Sequence, residues 1–232
     1  MRTNIVIDDK LMAEALRATG LVSVLLLCAH CGSDAGTSTV DLTDHYTGQK
    51  AQAVAVLREN FQVCDASFDL DNATYVADRL YRLGCAQIFR TTPAKDHGLL
   101  DPALRSFVRP VMELATDDYI DLMRRRDALG AQLAALFQSF DVLVLPTVPI
   151  LAFEAGRNAP ADQGSDDWMA WNPFTPAFNL LHVPALSVPL WPRGSGLPVG
   201  LQLVARFGAD DVLVALAHWI EAHPSGLFAR GG

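Results

Sequence analysis

The sequence predicts an α/β fold in which a mixed, buried β-sheet is covered by helices and preceded by a short strand–helix leader. Three apolar runs without alternation are typical of strands buried on both faces: DVLVLPTVP from Asp141, ALSVPL from Ala185 and PVGLQLVA from Pro198. Amphipathic helical segments lie before and after these runs and can cover both faces. Half of the 232 residues are hydrophobic and 19% are charged, a balance typical of a globular chain.

The first 20 residues form a leader with its own pattern. RTNIVI alternates as a short strand, DD supplies a helix N-cap, KLMAEALRAT has helical spacing, and Gly20 suits a C-cap. This leader resembles the start of VapB-type antitoxins, whose ribbon-helix-helix fold reads DNA through paired strands. The resemblance implies that Arg2 and Asn4 enter the major groove. The alternative is a strand and helix that only pack, because an apolar run follows where a second helix should begin.

Residues 21–45 form a junction. The run LVSVLLLCA is too short to span a bilayer, so we expect a buried strand or helix and no membrane association, with an export signal as the alternative. Cys28 and Cys31 form a CxxC without a second ligand pair, which predicts no metal site. We expect a cytoplasmic protein.

Four helices are predicted between the junction and the first long apolar run. GQKAQAVAVLREN is the first, a second is capped by Asp71 or Asn72, and a third starts near Asp101. The fourth, with Thr116 as N-cap, carries acidic residues in its first turn, where the helix dipole favours them. Its predicted core-facing positions are Ile120, Leu129, Leu133 and Leu136.

The last predicted element is a helix in ADDVLVALAHWIEA, after the third apolar run. Apolar residues recur on one face of this helix with helical spacing, and acidic residues occupy its first turn. The positions on that face are Val212, Leu216, Trp219 and Ile220.

The segment from about residue 46 to 232 resembles the C-terminal part of the amidase signature family. The residues that carry the resemblance are RRRDALGAQLAALFQSFDVLVLPTVPILAF, WMAWNPFTPAFNLLHVPALSVPL and GLPVGLQLVARFGADDVLVALAHWIE. The resemblance implies a partial amidase-signature fold, a small-molecule amide as substrate, and hydrolysis through an acyl-enzyme on serine. A Ser–Ser–Lys triad performs this reaction in the family, with no metal or cofactor.

Two members of that catalytic relay have no counterpart in this sequence. The lysines are Lys10, Lys50 and Lys95, none in the family's lysine context, and no GGSSGG segment occurs. A serine hydroxyl is a poor nucleophile at neutral pH unless a neutral base accepts its proton. We therefore expect a truncated amidase that is inactive as this chain alone.

The segment GSDAGTS, residues 32–38, is similar to the family's nucleophile element G(S/T)DxGGS. The resemblance places Ser38 at the nucleophile, with backbone amides from Ala35 to Ser38 as oxyanion donors. Thr37 replaces a glycine of the element, and Val40 stands where the family has arginine. The alternative is a chance turn of glycine, serine and aspartate.

The NPFTxxFN element shapes the wall of the substrate pocket in the family. The resemblance implies that Trp171, Phe174, Phe178 and Asn179 line that pocket, although aromatic residues beside proline turns also occur as ordinary core. His182 is interpreted as a packed histidine and Ser187 as a structural residue inside a buried strand.

The acidic balance disfavours nucleic acid as a partner. The formal net charge is −8, so the chain has no broad basic surface. Two other hypotheses remain beside the amidase interpretation: a fusion with a VapB-like DNA-binding antitoxin, and a non-catalytic remnant. In the remnant, a sheet cut through its middle exposes an unpaired edge, through which chains self-associate.

Overall fold

The structure is a computed structural model that describes residues 4–7, 25–28, 57, 61–64, 68–161, 167–191 and 197–222. The described residues divide into two compact units. The first unit lies within residues 1–68, 132–152 and 182–232, and the second within 69–131 and 153–181. None of the described helices combines the length and the apolar composition that a membrane span requires.

The first unit contains a six-stranded mixed sheet, counting the described strands, with the order β1–β3–β2–β4–β6–β5. β1 and β3 pair in parallel, and β1 also pairs antiparallel with β2. The remaining neighbours are antiparallel. The strands are β1 (Asn4–Ile7), β2 (Leu25–Cys28), β3 (Gln62–Cys64), β4 (Phe140–Pro146), β5 (Ala185–Leu190) and β6 (Val199–Ala205).

All three C-terminal apolar runs form the strands that their patterns predict. In β4, Val142–Leu145 are buried on both faces, and β6 is buried over Gln202–Ala205. The prediction of burial on both faces is wrong for β5, where Ala185, Ser187 and Pro189 are exposed. β5 is the last strand in the sheet order, and Pro189 suits such an edge because proline has no N–H to donate.

Helix α5 (Asp210–Ala222) covers one face of this sheet. Leu213, Leu216 and Ile220 pack in one cluster with Val142 and Val144 of β4 and with strand residues of β5 and β6. Of the predicted core positions, Leu216 and Ile220 are buried, and Val212 and Trp219 pack against the cluster from half-buried positions. The 3.6-residue periodicity therefore identified the buried face of α5.

The second unit is built around helix α1 (Leu70–Thr91). The predicted cap at Asp71 or Asn72 is wrong: Asp69 is the N-cap, and its carboxylate accepts from the Asn72 backbone N–H at 3.2 Å. Asp71 lies in the first turn, where an acidic side chain is favoured by the helix dipole.

The helix predicted from near Asp101 is shorter than expected. It forms α2 (Leu104–Val108), followed by a 3-10 turn at Arg109–Val111. Pro110 cannot donate a hydrogen bond and its ring hinders a continuing α-helix, which explains the change to a 3-10 turn. A second 3-10 turn covers Ala94–Leu99.

Helix α3 (Thr116–Leu136) has Thr116 as its first helical residue and not as its cap, so the predicted cap is off by one position. Leu129 and Leu133 are buried as predicted, and Leu136 is half-buried. The prediction for Ile120 is wrong, because its side chain is 41% exposed. Leu122 occupies the buried position in that part of α3.

The leader enters the sheet through β1. The register pairs Asn4 with Gln62 and Val6 with Cys64 on β3, and Ile5 with Leu27 on β2. The remaining leader and junction residues lie outside the described residues, as does most of the helix predicted in GQKAQAVAVLREN.

Candidate functional site

The four predicted pocket residues lie in one segment of the second unit, on and just before helix α4 (Thr175–Leu180). Phe174 and Phe178 are buried in the core, with Phe178 only 1% exposed. Trp171 is half-buried and Asn179 is exposed. The segment therefore presents only Trp171 and Asn179, of these four, to a molecule approaching from solvent.

Trp171 is held by two contacts with the chain around Phe153–Ala159. Its indole Nε1–H donates to the Asn158 carbonyl oxygen at 3.1 Å. Its ring meets the Phe153 ring edge to face, with centroids 5.3 Å apart. These contacts fix the orientation of an indole that keeps part of its surface open.

The proline turn before α4 is bound to helix α1. The Thr74 hydroxyl of α1 donates to the Pro173 carbonyl oxygen. Beside it, the Asn172 side-chain Oδ1 is buried without a hydrogen-bond partner among the described residues. An unpaired acceptor of this kind indicates a position that a donor from a ligand, water or another segment can fill.

Arg82 of α1 joins three parts of the second unit from a buried position. Its Nε donates to both carboxylate oxygens of Asp78 at 2.8 Å, and its Nη1 donates to the Phe107 carbonyl at 2.7 Å. Its Nη2 donates to Asp167 Oδ2 at 2.6 Å. Burial alone would lower the pKa of the Arg82 guanidinium, but the hydrogen bonds and charges of Asp78 and Asp167 outweigh it and raise this pKa above its usual range.

The Phe107 ring lies against the Arg82 guanidinium and contacts two further aromatic rings. The Arg82 Cζ lies 4.2 Å from the centroid of the Phe107 ring, and this ring meets Trp168 at a tilt of 48° with centroids 4.7 Å apart. Tyr81 meets Phe107 edge to face, and partial burial, aided by the neighbouring Cys85, raises the pKa of its phenol. Arg82 thus fixes the chain at Asp167, four residues before Trp171.

A polar patch lies on the sheet of the first unit. The Thr147 and Ser187 hydroxyl oxygens are 2.6 Å apart, a hydrogen-bond distance. Gly200 lies against this pair: a Cβ there would come within 2.5 Å of Thr147 Oγ1 and 2.8 Å of Ser187 Oγ. Gln202 pairs with Ser187 in the β5–β6 register. We call Thr147, Ser187, Gly200 and Gln202 the β-sheet polar patch.

Two residues of the first unit, Ser187 and His182, differ from their predicted environments. Ser187 is exposed because β5 is an edge strand, so it is not inside a buried strand. His182 is exposed too and is not a packed histidine. Its φ of 55° makes it the one non-glycine residue with a positive φ in the described chain.

The predicted nucleophile Ser38 and its segment GSDAGTS lie outside the described residues, as do Arg2, Lys10 and Lys50. Lys95 is described and lies exposed in the 3-10 turn Ala94–Leu99 of the second unit. The sequence interpretation missed Arg82, Thr74 and the β-sheet polar patch. For Arg82 the four-residue spacing from Asp78 is a usable signal, but nothing local connects it to Asp167, 85 residues away.

Two protein-family models match this chain. The amidase family model matches residues 28–214. Residues 1–23 match VapB, a bacterial antitoxin of type II toxin–antitoxin systems.

Curated relatives match part of the chain. It is similar to the putative amidase AmiC of Mycobacterium tuberculosis, with 36% identity over 102 residues, or 43% of this chain and 20% of that protein. A glutamyl-tRNA(Gln) amidotransferase component of Parvibaculum lavamentivorans is 35% identical over 106 residues, or 44% of this chain and 20% of that protein. These alignments thus span about one fifth of each relative.

The fold also has a solved counterpart. A crystal structure of an amidase superposes with a TM-score of 0.62 and 26% identity, covering 81% of this chain and 47% of that chain. The family match spans residues 28–214, which include β4, β5 and β6, and covers well over half of the sequence. The chain belongs to the amidase family.

Proposed function

We propose that this protein derives from a serine hydrolase of carbon–nitrogen amide bonds, with Ser38 at the nucleophile position, and that the chain alone is inactive. The observation that carries the proposal is the extent of the family match. It begins at residue 28 and therefore includes the GSDAGTS loop at residues 32–38. The inclusion of this segment in the match supports Ser38 as the counterpart of the family's nucleophile over a chance turn.

The reaction would proceed through an acyl-enzyme. The Ser38 hydroxyl attacks the amide carbonyl, the loop amides stabilise the oxyanion, the amine leaves with a proton, and water then hydrolyses the acyl-serine. Each proton transfer needs a base close to Ser38. Lys95, the one described lysine, is solvent-exposed, and no GGSSGG segment occurs in the 232 residues. The absence of this relay is why we propose an inactive chain.

Exposure of the full chain to a fluorophosphonate probe tests this proposal. We expect no covalent adduct on Ser38 by peptide mass spectrometry, and no ammonia release from acetamide above the level of the Ser38→Ala variant. Ser33→Ala is the matched control, because it changes a serine of the same loop. An adduct on Ser38, or turnover that disappears in Ser38→Ala and persists in Ser33→Ala, would show an active enzyme and overturn the proposed inactivity.

We further propose that the segment around α4 forms a wall of the amide-binding pocket. Trp171 and Asn179 have surface available for a ligand, and Phe174 and Phe178 support them from the core. Trp171 is oriented by Asn158 and Phe153 before any ligand arrives. A small neutral amide is the substrate class for which this aromatic and amide surface is suited.

The match of residues 1–23 to VapB favours a second candidate function, DNA binding through the leader. In that function Arg2 and Asn4 contact base edges from paired strands of two copies. The strand β1 (Asn4–Ile7) pairs within the chain with β2 and β3. Its backbone hydrogen bonds to these strands would have to break before β1 could pair with the same strand of a second copy.

An electrophoretic mobility shift with DNA from its own upstream region tests the leader. If the leader reads DNA, the full chain gives a two-fold symmetric footprint, and Arg2→Ala together with Asn4→Ala weakens binding by about tenfold or more, at about 1–3 kcal/mol per base contact. Because each phosphate contact makes affinity salt-dependent, binding is measured at 50 and 200 mM salt. A shift without a footprint, or one unchanged in the double variant, rules out this second function.

We also propose that chains self-associate through the outer edge of β5. In the described part of the chain β5 pairs only with β6, so its other backbone edge can accept a strand from a second copy. The cytoplasmic location expected from the sequence stays a prediction.

A further inference from the structure

The β-sheet polar patch lies on the sheet face opposite helix α5. Leu203 and Ala205 of β6 pack in the α5 cluster, so Gly200 and Gln202, at alternate positions, point to the other face. The geometry at Gly200 agrees, since a Cβ built there points at the side chains of Thr147 and Ser187. Three polar side chains from three neighbouring strands or strand ends therefore share one area of the sheet.

The side-chain amide nitrogen of Gln202 is a polar atom of this area that lacks a hydrogen-bond partner among the described residues. Gln202 is 1% exposed. A buried amide with unmade hydrogen bonds is unfavourable, and such groups are rare in folded proteins. An incoming acceptor atom would remove this penalty, so the position favours occupancy by an oxygen.

The patch combines donors and acceptors without a formal charge. The Gln202 amide supplies N–H donors, and the hydroxyl pair can both donate and accept. None of the strand residues around it, Leu143–Thr147, Ala185–Pro189 and Val199–Gln202, is ionisable. A neutral group with a carbonyl oxygen and N–H donors matches this set. A carboxylate would lose its hydration there without meeting a cation on these three strand segments.

We propose that the β-sheet polar patch is a subsite for a neutral carboxamide group, formed by Thr147, Ser187 and Gln202, with Gly200 leaving room for the Thr147–Ser187 hydroxyl pair. Ser187 is exposed and gives the ligand its entry. Gln202 turns toward Ser187 when the ligand binds, and its amide donates to the ligand carbonyl. The identity of the natural ligand as an amide rests on the proposed function. The preference for a carboxamide over the corresponding carboxylate does not, because it follows from the uncharged strand residues of the patch.

Titration of the ¹⁵N-labelled full chain with acetamide, and in parallel with acetate, tests this subsite. The Gln202 side-chain amide signal is assigned by its loss in Gln202→Leu. We expect acetamide to shift this signal in a saturable way and acetate to leave it in place. Ser187→Ala and Thr147→Val should each weaken acetamide binding about fivefold, the effect of losing one hydrogen bond.

Gln138→Leu is the matched control, because it makes the same substitution at an exposed glutamine and should leave acetamide binding unchanged. Gln202→Leu removes an unpartnered donor, so a melting temperature no lower than that of the parent chain is expected. If Gln202→Leu fails to fold, Ser187→Ala at its exposed position carries the test.

Three outcomes overturn the subsite: no saturable shift of the Gln202 signal, an equal response to acetate, or acetamide binding unchanged in Ser187→Ala and Thr147→Val. None of them depends on catalysis. Failure of the subsite is therefore distinguishable from failure of the proposed hydrolase, which the fluorophosphonate probe tests on Ser38.

Discussion

Replacing Arg82 with leucine should destabilise the protein by about 3 kcal/mol, the largest effect expected for a single side chain in the second unit. The substitution leaves two carboxylates and the Phe107 carbonyl without their donor, and removal of one partner from a buried ion pair typically costs about 3–5 kcal/mol. Asp78 and Asp167 keep partial contact with water, which places the expected value at the lower end.

Urea unfolding followed by circular dichroism measures this free energy. Hydrogen exchange of the peptide that covers α1 locates the loss in the second unit. Arg82→Lys should recover less than half of it, because one ammonium cannot reach three acceptors with the planar geometry of a guanidinium.

Arg125→Leu is the matched control for Arg82. Arg125 also pairs with an aspartate four residues earlier, with its Nε 2.7 Å from Asp121 Oδ2, but both side chains are about half exposed. Exposed pairs of this kind contribute about 0.5 kcal/mol or less. Equal effects of the two substitutions would show that the Arg82 contacts do not hold the second unit together.

The sequence is a good guide where one local pattern determines the structure. Val142–Leu145 of β4 and the buried face of α5 followed from apolar runs and helical spacing, because burial of those positions dominates their free energy. β5 shows the limit. Its sequence ALSVPL has the same apolar character as β6, yet it lies at the edge of the sheet. Strand order depends on distant pairings that no local pattern contains.

The candidate sites were less predictable for the same reason. Asp69, Asp71 and Asn72 are all competent helix caps, and the structure has the first of them as the cap. The Arg82–Asp167 bond joins residues 85 positions apart. The apolar run that contains Gln202 predicts an apolar core on both faces of the strand, so it does not indicate a polar site there. Only the β5–β6 register shows that Gln202 lies opposite Ser187. Residue type identified candidates such as Trp171, but only the fold shows which of these candidates face solvent.

Gly200→Ala is the second substitution with a large expected effect. The new methyl would lie 2.5 Å from Thr147 Oγ1, 2.7 Å from Thr147 Cβ and 2.8 Å from Ser187 Oγ, all closer than real Cβ contacts. Either the hydroxyl pair separates or β6 moves away from its neighbours. Overpacking of this kind costs about 1–3 kcal/mol, and the simultaneous loss of the hydroxyl hydrogen bond places the expected loss near 2 kcal/mol.

Gly84→Ala is the matched control for Gly200. Gly84 lies inside helix α1, and a Cβ there would meet nothing within 4 Å. Alanine should therefore stabilise the protein by about 0.5–1 kcal/mol, because it is the better helix former. The two substitutions add the same methyl group and should shift the urea midpoint in opposite directions.

A Gly200→Ala variant as stable as its parent would show that Gly200 is not needed for the close approach of Thr147 and Ser187. Ser187→Ala in the Gly200→Ala background should recover only part of the loss, because the contact with Thr147 Cβ remains.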